Sequence, residues 1–292
     1  MVRAFFYRIF LKTIREQITR ILGSPICELH MKISLIITTY NREDALNVVL
    51  KSVAKQMLLP DEILIADDGS TEATAEVIQA HQQQFPIPII HCHHPDLGFR
   101  VAHIRNKAIR HASGDYIILT DGDMILHPDF VKDHAASAKP GFFIQGSRVL
   151  LDETTTQKTI ANHRIHFTWL SKGITNRFNA MHNALLMHAI RTGRTDHHGI
   201  RSCNMSAWRK DIIAINGFNE AFVGWGREDS EFAVRLLNSG IQRLNLRLGA
   251  ICYHLWHRSN QENTLLSKND IELQIAINEK RAWCNQGLIS EQ

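Results

Sequence analysis

From Ile33 to Asp123 the chain alternates between two hydrophobic periods. Ile33–Thr38 is an apolar, β-branched run of the kind that forms a buried strand, and it ends in Thr39-Tyr40-Asn41-Arg42. Asp44–Lys55 then places Leu46, Val49, Leu50 and Val53 at helical spacing. The same alternation predicts strands over Glu62–Ala66, Pro86–Cys92 and Tyr116–Leu119, with helices over Thr71–Gln84 and Arg100–Ala112. Strand-helix alternation of this length implies an α/β fold, with a mostly parallel sheet flanked by helices. In such sheets ligands bind beyond the carboxyl ends of the strands. The polar clusters Tyr40-Asn41-Arg42, Asp67-Asp68 and Asp121-Gly122-Asp123 each fall at such an end.

The later pattern is less regular. Gly141–Leu151 reads as one or two strands crossing the sheet edge, and Asp152–Thr195 as helical stretches with scattered histidines (163, 166, 182 and 188). Histidines so spread out read as surface or packed residues rather than as a second set of metal ligands. Gly224-Trp225-Gly226-Arg227-Glu228-Asp229 opens a helix whose apolar face is Phe232, Ala233, Leu236 and Leu237, with Gly240 as its stop. Leu248–Tyr253 reads as an apolar strand leading into His254 and His257. The expected organisation is an N-terminal extension (1–30), a first half (31–135), a second half (136–265), and a helical tail (266–292).

Composition changes this picture little. The 292 residues are 44% hydrophobic and 21% charged, as in a soluble globular protein. Five cysteines without a C-x-x-C pair argue for a reduced, cytoplasmic setting. The net charge of +4 sits in residues 1–22, where Arg3, Arg8, Lys12, Arg15 and Arg20 face only Glu16. The remainder is neutral, which gives no general footprint for nucleic acid. Residues 2–22 place their apolar side chains at helical spacing between those cations. A basic amphipathic helix suits peripheral contact with an anionic membrane, equally packing on the body of the protein, and Met31 is an alternative start. No apolar run is long enough to cross a membrane.

Asp121 and Asp123, at i and i+2 at the end of a buried strand, are costly without a positive partner; they suit a hard divalent cation or, more blandly, a turn. There is no G-x-G-x-x-G and no G-x-x-x-x-G-K-[ST] in the chain, so the usual phosphate cradles are missing.

Taken together, Ser34-Leu-Ile-Ile-Thr-Thr-Tyr-Asn-Arg42, Ala66-Asp-Asp-Gly-Ser70, Gly98-Phe-Arg-Val-Ala102 with Arg105-Asn106, and Asp121-Gly-Asp123 resemble the family 2 glycosyltransferases of the GT-A fold. Cys203-Asn-Met-Ser206, Gly217-Phe218, Gly224-Trp-Gly-Arg-Glu-Asp-Ser-Glu-Phe232 and Tyr253-His-Leu-Trp-His257 are similar to the C-terminal segment of galactosyltransferases and chondroitin-polymerase-like enzymes. The resemblance implies a UDP-sugar donor, with Thr38, Tyr40 and Arg42 lining the uracil and ribose pocket and Asp67 and Asp68 contacting base and ribose. It puts Arg100 and Arg105 near the sugar or diphosphate, Asp121 near ribose or metal, and Asp123 on a divalent ion, Mn2+ or Mg2+. The further metal ligand is His254 or His257; the two family patterns disagree. Inversion needs a base on the acceptor hydroxyl and positive charge at the departing diphosphate. By resemblance Asp229 is the base, with Glu228 orienting the acceptor or acting as the alternative base.

Trp225 and Gly226 suit a sugar, whose C–H face packs on an indole and whose approach a glycine allows. Arg227 departs from the family, which usually has a second glycine there; a guanidinium could bind an anionic acceptor or donor, or narrow the pocket. With one such domain rather than two, a single addition to a surface glycan or glycolipid is expected rather than alternating polymerisation. Two rivals exist. A non-catalytic binding protein on the same fold would need no base. A sugar-1-phosphate nucleotidyltransferase would need a Gly-rich basic loop after the first strand, and Thr38–Arg42 is not one.

Overall fold

The computed structural model describes residues 31–190, 192–196, 199–258 and 266–289. The basic amphipathic segment 1–22 lies outside the described residues. The strands are β1 (Ile33–Thr39), β2 (Glu62–Asp67), β3 (Ile89–His93), β4 (Tyr116–Asp121), β5 (Met124–Leu126), β6 (Phe142–Gln145), β7 (Ser147–Leu151), β8 (Ile174–Thr175), β9 (Thr192–Arg194), β10 (Asn204–Trp208), β11 (Gln242–Asn245) and β12 (Ile251–His254). The helices that matter for the site are α1 (Glu43–Val53), α2 (Glu72–Gln82), α3 (Val101–His111), α4 (Phe130–Ser137), α5 (Glu153–Asn162), α6 (Ala184–Ile190), α7 (Arg209–Ala214), α8 (Glu228–Asn238) and α9 (Leu266–Asn278). None of the described helices is long and apolar enough to cross a membrane.

An eight-stranded sheet runs in the order β3-β2-β1-β4-β10-β6-β11-β9. β3, β2, β1 and β4 are parallel, β10 is antiparallel to both neighbours, and β9 is antiparallel to β11. A smaller sheet runs β5-β12-β7-β8. One core lies where Ile36, Leu64, Ile117 and Leu119 of the large sheet meet Ile104 and Ala108 of α3, Ile212 of α7 and Phe232 and Leu236 of α8. A second joins the small sheet, through Val149, Ile251 and Tyr253, to Ala45 and Val48 of α1.

The strand-helix reading of the first half holds, with small shifts at the ends. β3 starts after Pro88 rather than at Pro86, because proline has no N–H to give; Pro88 instead accepts from Ile63 N–H at 2.9 Å. Two expectations in the second half need correction. Gly141–Leu151 does not cross a sheet edge. It divides at Gly146 into β6, which lies inside the large sheet, and β7, which joins the small one. A Cβ on Gly146 would stand 2.3 Å from Asn204 Oδ1 and 2.6 Å from Ala250 O, so only glycine lets the chain pass between sheets there. The strand expected from Leu248 begins only at Ile251, because Leu248 (φ +62°) and Ala250 (φ +47°) are left-handed.

Register aligns the polar strand ends. Thr38 stands beside Asp121, and Thr39 beside Asp67, across neighbouring parallel strands. Gly122, in the turn between β4 and β5, also allows a close approach. Its N–H bonds Thr38 O at 2.7 Å, and a Cβ there would meet that oxygen at 3.1 Å. Within α8, Arg235 Nε and Nη2 donate to buried Glu231 at 2.7 and 2.9 Å, and Arg235 Nη1 donates to Ile215 O, which ties the helix to the residue after α7. Removing one member of such a pair costs about 3–5 kcal/mol, so the helix bearing Glu228 and Asp229 is firmly seated.

Candidate active site

At the end of β4, Asp123 meets the segment after β12. His254 Nε2 and His257 Nε2 lie 3.2 and 3.3 Å from the same Asp123 oxygen, Oδ2. The three side chains form one group of ligand-capable atoms. Asp123 Oδ1 is buried and has no hydrogen-bond partner among the described residues. Burial works to raise the Asp123 carboxyl, but the His254 hydrogen bond and the charges of His254, His257 and Arg42 outweigh it and hold the pKa below its ordinary value. An ionised carboxylate with one unclaimed oxygen, facing two imidazoles, is what a divalent ion requires. Ligand atoms around an octahedral ion with bonds near 2.1 Å stand about 3 Å apart, close to the spacing found. The residues therefore fit a metal, and both candidate histidines reach it.

The second half of the site is tied to the first by Arg105. This almost fully buried side chain donates Nε to Thr38 Oγ1 (3.1 Å), Nη2 to Asp121 Oδ1 (3.1 Å) and Nη1 to Glu228 Oε1 (3.3 Å). One guanidinium from α3 thus joins β1, β4 and the start of α8. Asp121 is pushed up by burial, with the Asp123 charge adding to it and Arg105 opposing. Glu228 Oε2 is buried without a partner among the described residues. Beside it Asp229, half-buried, receives the Ser202 N–H on Oδ2 at 3.4 Å and the Ser230 hydroxyl on Oδ1 at 3.3 Å. Both acids begin α8, where the helix dipole favours negative charge.

Burial, with the Asp229 charge beside it, pushes Glu228 up to about 7 against the pull of Arg105. From an ordinary value of 4.5, this acid holds its proton more tightly when folded. Its contribution to stability is therefore present below the unfolded pKa and is lost as pH rises through about 7. In metal-free protein, Glu228→Gln is expected to remove a fall in unfolding free energy of roughly 1–3 kcal/mol across that window. Urea midpoints measured from pH 4 to 8 on both proteins check this; parallel curves would refute it.

The remaining predicted residues fall around these two halves. Asp67 is buried, accepting from Ser70 N–H at 2.9 Å with His91 Nε2 at 2.8 Å. Asp68 accepts the Arg100 N–H at 2.9 Å and lies 3.0 Å from His94 Nε2. Burial tends to raise Asp67, yet its hydrogen bonds to His91 and Ser70 bring it below its ordinary value, whereas Asp68 is raised by burial. Arg100 contributes its backbone here, and its side chain is exposed. Tyr40 is exposed and donates to Asp96 at 2.9 Å, and Arg42 pairs with Asp44 at 3.3 Å. Trp225 is half exposed.

Arg227 adopts φ +77°, the left-handed conformation a glycine takes freely, which explains the family's usual residue. Its Nε lies 2.5 Å from Asp270 of α9. The guanidinium is thus paired with the tail helix, with its side chain still partly exposed. His91 and His94, which hold the two aspartates, were not singled out from sequence; only their place at the end of β3 could have pointed to them.

Comparison with known proteins gives the family and the fold. The profile of glycosyl transferase family 2 matches residues 34–200, more than half of the chain. The chain belongs to glycosyl transferase family 2. A further profile, described as the N-terminal domain of galactosyltransferase, matches residues 188–258. Chondroitin synthase of Escherichia coli is 26% identical over 246 residues, covering 76% of this chain and 34% of that protein. Validoxylamine A glucosyltransferase of Streptomyces hygroscopicus subsp. limoneus is 28% identical over 230 residues, covering 72% of this chain and 48% of that one. The chain thus spans between a third and a half of these relatives' length.

Among solved structures, Staphylococcus aureus TarS (1–349) with UDP aligns with a TM-score of 0.56 at 19% identity, over 86% of this chain and 65% of that one. The mannosyltransferase PcManGT of Pyrobaculum calidifontis, in complex with GDP-Man and Mn2+, aligns with a TM-score of 0.55 at 16% identity, over 85% and 63%. At such identities the likeness concerns the fold, which is GT-A.

Proposed function

We propose that the chain is a metal-dependent, inverting glycosyltransferase that moves a hexose or N-acetylhexosamine from a UDP-sugar to a growing cell-surface glycan. Lipopolysaccharide core or capsule is the acceptor class, met at the cytoplasmic face of the membrane. The observation that carries this reading is one strand end that holds Asp123 against two histidines and, two residues earlier, Asp121, which Arg105 joins to Glu228 beside Asp229. A binding protein has no need of a buried Glu228 beside a half-buried Asp229, tied by Arg105 to the strand end that carries Asp123.

In this reading Asp123, His254 and His257 hold Mn2+ or Mg2+, which supplies positive charge to the diphosphate. Asp67 and Asp68, preset by His91, Ser70 and the Arg100 N–H, receive base and ribose hydroxyls, with Thr38, Tyr40 and Arg42 alongside. Asp229 takes the proton of the acceptor hydroxyl as its oxygen bonds the anomeric carbon. The bond from that carbon to the diphosphate breaks, and UDP leaves with the electron pair. Glu228, held by Arg105, orients the acceptor, and Trp225 and Gly226 offer it a stacking surface. Relatives that act on glycans, and a fold neighbour with UDP bound, support the substrate classes.

The test is a panel of UDP-sugars, scored for UDP release with Mn2+, with Mg2+ and with chelator. One donor should turn over, and only with metal. UDP binding without turnover of any donor, with or without glycan acceptors, would favour a non-catalytic role. For the membrane address, deleting residues 1–22 should move the protein from anionic vesicles to the supernatant in a sedimentation assay. Unchanged partition would end that part.

A further inference from the structure

Among the described residues a second group of ligand-capable side chains forms away from Asp123: His127, Asp129 and His182, whose donor atoms lie within 4.8 Å of one another. His127 follows β5, and its backbone is fixed by bonds to Ile251 O (3.0 Å) and from Gln56 Nε2 (2.8 Å). Asp129 stands immediately before α4. His182 arrives from the far side of the 152–190 segment, just before α6, and its ring stacks on that of His127 with centroids 4.6 Å apart.

Behind His182, buried Asp133 lies 3.0 Å from Nε2 and also accepts the Ala250 N–H at 2.8 Å. When Asp133 takes the Nε2–H, the lone pair of His182 is left on Nδ1. A carboxylate holding the far nitrogen of an imidazole is the usual support of a metal-bound histidine. His127 Nδ1 is 3.8 Å from Asp129 Oδ2. Tetrahedral Zn2+ with bonds of about 2.0–2.1 Å sets its ligand atoms about 3.3 Å apart, so closure by half an ångström would complete this edge. His127 Nδ1 now accepts the Asp129 N–H at 3.2 Å, and Lys132 Nζ lies 3.3 Å from the other Asp129 oxygen. A cation would displace the first contact and leave the second.

We propose that His127, Asp129 and His182 form a second metal site, for a borderline divalent ion such as Zn2+. Water fills the fourth position, and Asp133 positions His182. His127 lies four positions beyond Asp123 along an extended strand, about 13 Å. The metals of a two-metal catalytic pair stand about 3.5–4 Å apart, so an ion here is not the partner of one at Asp123. It pins a segment with few apolar anchors: between 163 and 190 only Phe167, Ile174, Ala180 and Met187 are buried apolar residues, while Leu170, Phe178 and Leu185 are largely exposed. The inference does not depend on the transfer reaction.

The test uses the full chain, stripped of metal, carrying His254→Ala and His257→Ala so that the Asp123 group is disabled. Zn2+ titration by calorimetry should show one site per chain, and Zn2+ should slow proteolysis within 163–190. Adding His182→Ala should weaken binding by at least about 100-fold and abolish the protection. Should that variant lose its far-UV circular dichroism, the near-isosteric Asp129→Asn serves instead, with a loss of at least about 10-fold. No Zn2+ binding in the disabled background, or binding unchanged by either substitution, would overturn the proposal.

Discussion

Asp229→Asn should lower kcat by about 10²–10⁴-fold, the usual share of a positioned general base, with the donor KM little changed. Asparagine keeps the shape and can still meet the Ser202 N–H, so loss of folding does not explain such a fall. Glu228→Gln should cost less, because Glu228 lies against Arg105 and acts through orientation. If the two roles are exchanged, the order reverses, and the acid limb of the pH profile, set by a group near pH 7, disappears in Glu228→Gln. Steady-state kinetics of both variants from pH 5 to 9 distinguish the cases. Near-normal turnover in both would remove the base from this helix.

The second large effect belongs to Asp123. Asp123→Ala should lower kcat/KM by about 10²–10³-fold, the several kcal/mol a metal contributes at a developing phosphate charge. It should also abolish the rise in Tm that Mn2+ with UDP produces in the parent, since a ligand stabilises only a site that binds it. His254→Ala and His257→Ala should each weaken the metal, because both imidazoles face Asp123 at nearly equal distance, 3.2 and 3.3 Å. A variant retaining full metal dependence would show that its histidine only packs. Retention of the Mn2+ response in Asp123→Ala would remove the metal from this strand end.

Much of the first half was legible before any coordinates. Runs such as Ile33–Thr38 and Tyr116–Leu119 are apolar on both faces because the strands they form are covered on both sides, so their period survives without context. The second half was less legible for a physical reason. β6 and β7 are four and five residues long, and they part at a glycine whose need is set by Asn204 and Ala250, far away in sequence. No local pattern carries that information. Arg227 is similar: its φ is the one that suits the family's usual glycine, and its partner Asp270 lies beyond the motif. Arg105, marked for the donor by its motif, spends its guanidinium on Thr38, Asp121 and Glu228.

The order of hydrophobic periods and of the polar clusters at strand ends was enough to specify the α/β class and the carboxylates to watch, because those features repeat within a few residues, and the resemblance of the motifs pointed to the family. Which histidine can meet Asp123, which cation ties Asp121 to Glu228, and how His127 comes to face His182 were decided only by tertiary structure. These pairings join side chains up to 134 positions apart, and their energies depend on burial and ångström-scale distance, neither of which a linear pattern encodes.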